Sequence, residues 1–494
     1  MRSQKMRSTL RLSVLALLLA AVSGQGIFDV LFGGLSGRAP APAAAPRAAA
    51  APTAPAAPRP AVAATYYRPG AAAAPAAAAA PPTVFLPVAA QAAGSRASAA
   101  SQAAQLSALL SLKALLDAGG ELLPSWNATA GAGAGYCKNF AGVTCDATNT
   151  SVYNISLHAP ITKLGKPAAP GKPLPPVSLL VAFPRLKALN LGSTGITGPL
   201  AADWGSLSQL EELRLAANYI TGGIPRQWSR MKSLKVLSLA DNKMQGRLTA
   251  GFGVSWPNMT ELRLDDNAFY GTLPKKWARW TKLKGISLNN NNVTGTLSPM
   301  YGAGWPALEN LQLGGNAIGG SLPKEWARMK NLKTLELFQN KLTGPLPSEY
   351  GAAWPRMWSL QLWDNGLSGT LPKEWGKMGG MVYLDLQRNN LSGPLPAEWS
   401  QMWGLEALWL KANRLWGGLP ASWGGLKRLK ALTLDGNQLA GSIPKSWGGL
   451  GNNLKIFWVG SNKDLKGCVP KGLPMPGVKK DMCKGTGMTC EPCK

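Results

Sequence analysis

The fold class written in this 494-residue chain is an α/β-type repeat solenoid, with one short strand per turn stacked into a parallel sheet. Three regularities point to it. An asparagine stands three residues after the last apolar residue of an L-x-x-L-x-L phrase, at Asn218, Asn242, Asn267, Asn291, Asn316, Asn340, Asn365, Asn389, Asn413, Asn437 and Asn462, with Thr194 in the slot one turn earlier. A glycine lies twelve residues into each repeat, from Gly198 to Gly441. The whole phrase returns every 24 or 25 residues, a period at which no unit buries its own apolar face and stacking is obligatory.

Repeats begin at Leu186, Leu210, Leu234, Met259, Leu283, Leu308, Leu332, Met357, Met381, Leu405 and Leu429, with a partial turn at Leu454. In the stretch from Leu405 to Arg428, Leu405, Leu408 and Leu410 alternate as a strand requires, and Trp409 and Lys411 point the other way. Asn413 can bond backbone groups at the bend that follows. Leu415, Leu419, Trp423 and Leu426 return as apolar contacts from the outer arc, with Gly417 and Pro420 at the turns. About eleven such strands are expected. Trp204, Trp228, Trp277, Trp326, Trp375, Trp399, Trp423 and Trp447 share one position, filled elsewhere by Phe252, Tyr301 and Tyr350. The register points that position inward, so these rings are read as core. A second period of 49 residues repeats an aromatic-Gly-x-x-Trp-Pro phrase at Phe252, Tyr301 and Tyr350, consistent with duplication of repeat pairs.

The phrase L-x-x-L-x-L-x-x-N-x-L-x-G-x-[LI]-P-x-x-W resembles the plant-type extracellular leucine-rich repeat in the form common in green-algal proteins. Upstream, Leu109-Leu110-Ser-Leu112-Lys113, then Ser125-Trp126-Asn127, then the run from Cys137 to Cys145, resemble the N-terminal cap of such ectodomains. The resemblance covers about residues 105 to 470. It implies a leucine-rich-repeat superhelix with a parallel β-sheet on the concave face and irregular or 3-10 segments on the convex face. Two departures matter: tryptophan replaces the family's usual leucine after the proline, and no kinase domain or second hydrophobic span follows, so a receptor-kinase role is not expected.

Five regions follow: a signal peptide (1–24), an Ala/Pro-rich disordered segment (25–100), an N-terminal cap (101–185), repeats (186–467) and a Cys-rich tail (468–494). Arg2, Lys5, Arg7 and Arg11 precede the apolar run Leu12 to Val22, which is too short for a membrane span. No later stretch is long enough for one, so no transmembrane segment is expected. Ala-Pro dipeptides read as a spacer, or as a glycosylated stalk like those of wall proteins. Six sequons, at Asn127, Asn149, Asn154, Asn258, Asn292 and Asn390, fit a secretory route. Cys137 and Cys145 are expected to pair. Cys468, Cys483, Cys490 and Cys493 are expected to form two disulfides over the open end, with a zinc site as the rival.

Catalysis is poorly supplied. The single histidine is His158, and no phosphate loop or metal signature occurs, so no catalytic residue, metal or cofactor is expected. The net charge is +28, four units of which lie in the signal peptide. Arg226, Lys275, Lys324, Lys373 and Lys445 share one outer-arc position, Arg230, Arg279 and Lys377 another, and the tail adds Lys479, Lys480 and Lys484. Anionic wall polysaccharide is a candidate partner for this ridge, against a merely solubilising surface; the secretory route argues against nucleic acid. On the strand face, outward positions carry Asn289, Asn290, Asn310, Gln312, Gln339, Gln361 and Gln387, the acids Glu336, Asp364, Asp385 and Asp435, and the aromatics Phe338, Trp363, Tyr383, Trp409 and Trp458. Phe338 and Trp363 hold equivalent slots on adjacent turns and are expected roughly 5 Å apart.

Aromatics beside amides and carboxylates suit an extended ligand. The sequence therefore reads as a secreted, non-catalytic recognition protein of the extracellular space or cell wall, binding a glycan, peptide or protein ligand on the concave face. The alternatives are a structural wall or matrix protein with a glycosylated Ala/Pro stalk, and an inhibitor of a secreted polysaccharide hydrolase. Ice binding fits poorly, because the strand-face residues are too mixed.

Overall fold

The computed structural model describes residues 99–117, 123–157, 171–473 and 482–493. The expected signal peptide, nearly all of the Ala/Pro segment, His158, Lys479 and Lys480 lie outside the described residues. Leucines of the L-x-x-L-x-L phrase are fully buried, as at Leu405, Leu408 and Leu410. They build one fourteen-stranded sheet. Its first two strands, Val143–Cys145 and Val152–Ser156, form an antiparallel pair in the cap. The remaining twelve, from Ala188–Asn190 to Ile456–Trp458, come one per turn and pair in parallel, so the partial last repeat contributes a strand as well.

The ladder asparagine joins neighbouring turns. Asn340 Nδ2 donates to the carbonyls of Leu313, Leu337 and Phe338 at 2.9, 3.2 and 3.1 Å, and its Oδ1 accepts from the Ile318 N–H at 2.9 Å. Asn218 and Asn462 repeat this pattern at the two ends of the ladder. The residue just before the asparagine turns left-handed, as Gln339 (φ 48°) and Asp364 (φ 57°) do, which aims the amide back into the bend.

A second fourteen-stranded sheet was not legible in advance. It runs down one flank, from Lys172–Pro173 through Ile196–Pro199 to Asp464–Val469 and Gly487–Pro492. Apart from the end strands, its members are the four- or five-residue stretches after each ladder residue, such as Asn292–Thr296. The repeat glycine sits inside them at positive φ, 82° at Gly295, where a side chain would be strained.

The outer arc is made of short 3-10 segments such as Lys324–Arg328, replaced by α-helical turns at Phe252–Ser255, Met300–Gly304 and Tyr350–Ala353. The tryptophan column is core, with Trp204, Trp228, Trp326, Trp375, Trp399, Trp423 and Trp447 fully buried. Each indole N–H still finds a carbonyl on the preceding turn, as Trp326 does on Ser298 (3.0 Å) and Trp375 on Pro347 (2.9 Å), which removes the cost of burying it. Rings on successive turns stack 6.2–6.4 Å apart. On the strand side, Phe338 and Trp363 stack at 4.9 Å. Paired strands lie about 4.8 Å apart, so the outer step is the longer one and the strand sheet is the concave side.

The ends are closed differently. In the cap, Gln105 Oε1 accepts from the Val152 N–H at 2.8 Å, Trp126 stacks on Phe140, and Cys137 bonds Cys145. At the other end, Val459 and Ser461 N–H groups donate to Met482 and Lys484 carbonyls. Cys468–Cys493 and Cys483–Cys490 staple this region. The C-x-x-C pair is therefore split between two disulfides, and the zinc reading falls.

Asn340→Ala leaves three carbonyls and the Ile318 N–H without their shared partner. We expect it to lower the unfolding free energy by roughly 1–3 kcal/mol, read as a shift of the denaturant midpoint. An unchanged midpoint would remove the ladder's structural role.

Candidate ligand-binding face

Three outward positions of each strand phrase face away from the core and line up in columns across the turns. Strand pairing sets Glu336 beside Gln361, Gln361 beside Asp385, Asp385 beside Trp409, and Thr433 between Trp409 and Trp458. Ser359 pairs with Tyr383, and Tyr383 with Ala407.

The aromatics form two groups over four consecutive turns, Phe338 with Trp363 and Tyr383 with Trp358 and Trp409. The rings of Phe338 and Trp363 are coplanar within 3°, Trp358 meets Tyr383 edge-on at 6.0 Å, and Tyr383 stacks on Trp409 at 6.5 Å. Trp363, Tyr383, Trp409 and Trp458 are half-buried. Trp458 stands in the same column as Trp409 with Thr433 between them, so it flanks the patch rather than joining it.

Two residues read as solvent-facing are covered. Phe338 is 4% exposed. Its ring lies on Gly314 of the preceding turn, where an added Cβ would come within 2.5 Å of it, and Trp363 covers its other face. Phe338 is thus the floor beneath Trp363. Asp385 is 8% exposed, held by the backbone N–H and side-chain amide of Gln387, both at 3.1 Å. Burial pushes its carboxyl up to about 7 against those bonds and the nearby Arg388 charge.

Glu336 is half-buried and tied to two amides, Gln312 Nε2 at 2.9 Å and Asn289 Nδ2 at 2.8 Å. Burial raises its pKa against those bonds, helped by the charge of Asp265. Asn289 reaches it across Gly314, whose N–H donates to Asn289 Oδ1. Asp364 occupies the left-handed bend before Asn365 and is half-buried. Lys411 pairs with Asp435 at 3.0 Å on the rim. Asp265 Oδ1 and Thr433 Oγ1 are buried on this face without a partner.

Trp358 was missed by the outward-position argument. It follows the first apolar residue of its phrase, a slot held by Glu309, Lys333, Glu406 and Lys430 on other turns, where these charges pair turn to turn. A tryptophan in a charged column was the available signal. Of the sequons, Asn127, Asn149, Asn292 and Asn390 are exposed, whereas Asn154 and Asn258 are half-buried.

Comparison with known proteins follows the same lines. Residues 102–146 match the leucine rich repeat N-terminal domain family, and residues 380–402 and 428–450 match the Leucine Rich Repeat family. No curated protein sequence matches the chain. Among solved structures, a TDR receptor is 29% identical with a TM-score of 0.57, covering 61% of this chain and 51% of its own. The plant peptide hormone receptor RGFR1 in complex with RGF2 is 27% identical with a TM-score of 0.56, covering 67% and 54%. PEPR1-AtPEP1 is 26% identical with a TM-score of 0.54, covering 75% and 60%. This chain therefore spans little more than half the length of the structures it resembles. It is a leucine-rich-repeat solenoid whose N-terminal cap, at residues 102–146, matches the leucine rich repeat N-terminal domain.

Asp385 allows a pH test. Its folded pKa exceeds the unfolded value, so the stability it contributes is complete below the ordinary carboxylate range and is lost as pH rises through about 7. Asp385→Asn cannot titrate. Between about pH 5 and pH 8 the variant should lose less stability than the parent, by on the order of 2 kcal/mol, in paired melts. Parallel pH curves would show that Asp385 is ionised and solvated in the fold.

Proposed function

We propose that this leucine-rich-repeat chain is a non-catalytic recognition protein of the extracellular space, and that its ligand is an extended peptide lying along the C-terminal half of the concave face. The carrying observation is the aromatic patch of Trp363, Trp358, Tyr383 and Trp409. It lies on the open side of a sheet and spans adjacent turns: Trp363 rests on Phe338, which sits on Gly314, and Tyr383 meets both Trp358 and Trp409. Rigid aromatics with polar neighbours concentrate binding free energy at low entropic cost. An extended chain crossing the turns meets Trp363, then Tyr383, then Trp409, with the Gln361 and Gln387 amides beside it.

The resemblance to a plant peptide hormone receptor supports the peptide reading. Three disulfides support an oxidising, extracellular setting. Among the described residues no helix is long and apolar enough to cross a membrane. A glycan is the second ligand class for the same aromatics. An idle face on a structural wall protein is the reading that competes with both.

Screening the purified protein against a secreted-peptide library and a glycan array separates these readings. Trp363→Ala and Trp409→Ala should each weaken peptide binding by roughly 1–3 kcal/mol with an unchanged melt. Capture of glycans alone moves the assignment to the second class. Tryptophan variants that bind every captured ligand as the parent does return the chain to a structural role.

A further inference from the structure

The concave face leaves the charge of the opposite surface unexplained. Four 3-10 segments on the outer arc each begin and end on a basic residue: Arg226–Arg230, Lys275–Arg279, Lys324–Arg328 and Lys373–Lys377. Between them lie the α-helical turns Phe252–Ser255, Met300–Gly304 and Tyr350–Ala353, which carry no charge. Gly253, Gly302 and Gly351 of these turns pack directly on the next basic segment: an added Cβ at Gly302 would lie 2.1 Å from the Glu325 carbonyl. The 49-residue period thus becomes a set of cationic bands separated by neutral ones. Neighbouring bands stand two turns apart along the outer arc, where rings on successive turns elsewhere stack at 6.2–6.4 Å.

These cations are free. All eight terminal residues are exposed, and among the described residues none has a carboxylate within salt-bridge distance. Lysines at the concave edge behave differently: Lys187 and Lys235 share Glu211, Lys333 takes Glu309, and Lys430 takes Glu406. The same fold therefore neutralises one lysine column and leaves the other open.

We propose that the outer arc binds a linear acidic polysaccharide running along the solenoid axis, its repeated anions meeting successive basic bands. A polymer with charge on every sugar suits bands at a regular step, and the neutral turns let its uncharged edge lie close. Single-stranded nucleic acid fits less well, because it is held by exposed stacking rings and the tryptophans of these bands are at most 1% exposed. The disulfides place the chain in an oxidising compartment, away from cytosolic nucleic acid. This surface shares no residue with the concave patch, so either assignment stands if the other fails.

The test uses the full chain and polygalacturonate, with neutral dextran, duplex DNA and anionic vesicles as competing probes. One variant carries Lys275→Gln, Arg279→Gln, Lys324→Gln and Arg328→Gln. A control removes the same charge from the flank sheet with Arg247→Gln, Lys341→Gln, Arg414→Gln and Lys466→Gln, all exposed. The parent should hold polygalacturonate at low salt, release it as salt rises, and ignore dextran. The band variant should bind about tenfold more weakly, from four contacts of the size exposed ion pairs have, and the control should stay near the parent. Equal losses in the two variants would reduce the effect to net charge. A band variant that binds as the parent does, or a parent that prefers DNA or vesicles, would overturn the assignment.

Discussion

A turn of the solenoid cannot close its own hydrogen bonds, and the ladder asparagine is the residue that closes them. One side chain satisfies carbonyls on its own turn and the one before, and an N–H on the one before, as Asn340 does between Leu337 and Ile318. An unpaired buried backbone group costs a large part of a domain's net stability, so the bend cannot be built repeatedly without this side chain. The ladder also fixes register. Strands paired through it present their outward positions in columns, and every surface property of the molecule follows from those columns. Curvature arises from a second, independent constraint. Large rings on the outer arc stack at a longer step than the strands allow, and the chain accommodates both steps by bending.

The strand sheet was legible because its signal is periodic and apolar, with Leu, Met or Ile recurring at fixed offsets. The flank sheet was not. Its inner strands are four or five residues long and contain a glycine at positive φ, so Asn292–Thr296 or Gly366–Thr370 reads locally as a turn. The β-branched Val293, Thr294 and Thr296 are too few to call a strand beside that glycine. It becomes one because the neighbouring turns hold equivalent backbone at pairing distance, as where Thr294 faces Ala317. Repetition creates that sheet, and a reading confined to one repeat cannot see it.

The concave face was legible in direction but not in depth. The two-residue alternation correctly turned Phe338, Trp363 and Asp385 away from the core. Whether each is open depends on the residue in the same column one turn away. Gly314 leaves a space that Phe338 fills. Asp385 is covered because Gln361 and Trp409 stand on either side of it. Burial here is a property of neighbouring columns, and only the chain written out turn by turn exposes it. The glycine at 314 was visible in the sequence as the one missing side chain ahead of two aromatics.

Dependence on neighbours also shapes how such a surface changes. Core positions are held by leucine, asparagine and the buried rings, and tolerate little. Outward positions carry less backbone duty, although Asn289 and Asp385 each accept one backbone N–H, and they do not vary independently. A side chain at Gly314 would displace Phe338, which supports Trp363, and would interrupt the Asn289 contact to Glu336 across the same gap. One methyl group at position 314 would therefore disturb the packing of the turns beside it. The binding character of this face resides in the order of its columns, with small residues setting where large ones come to rest, and the flat stack of Phe338 and Trp363 owes its seat to a residue that has no side chain.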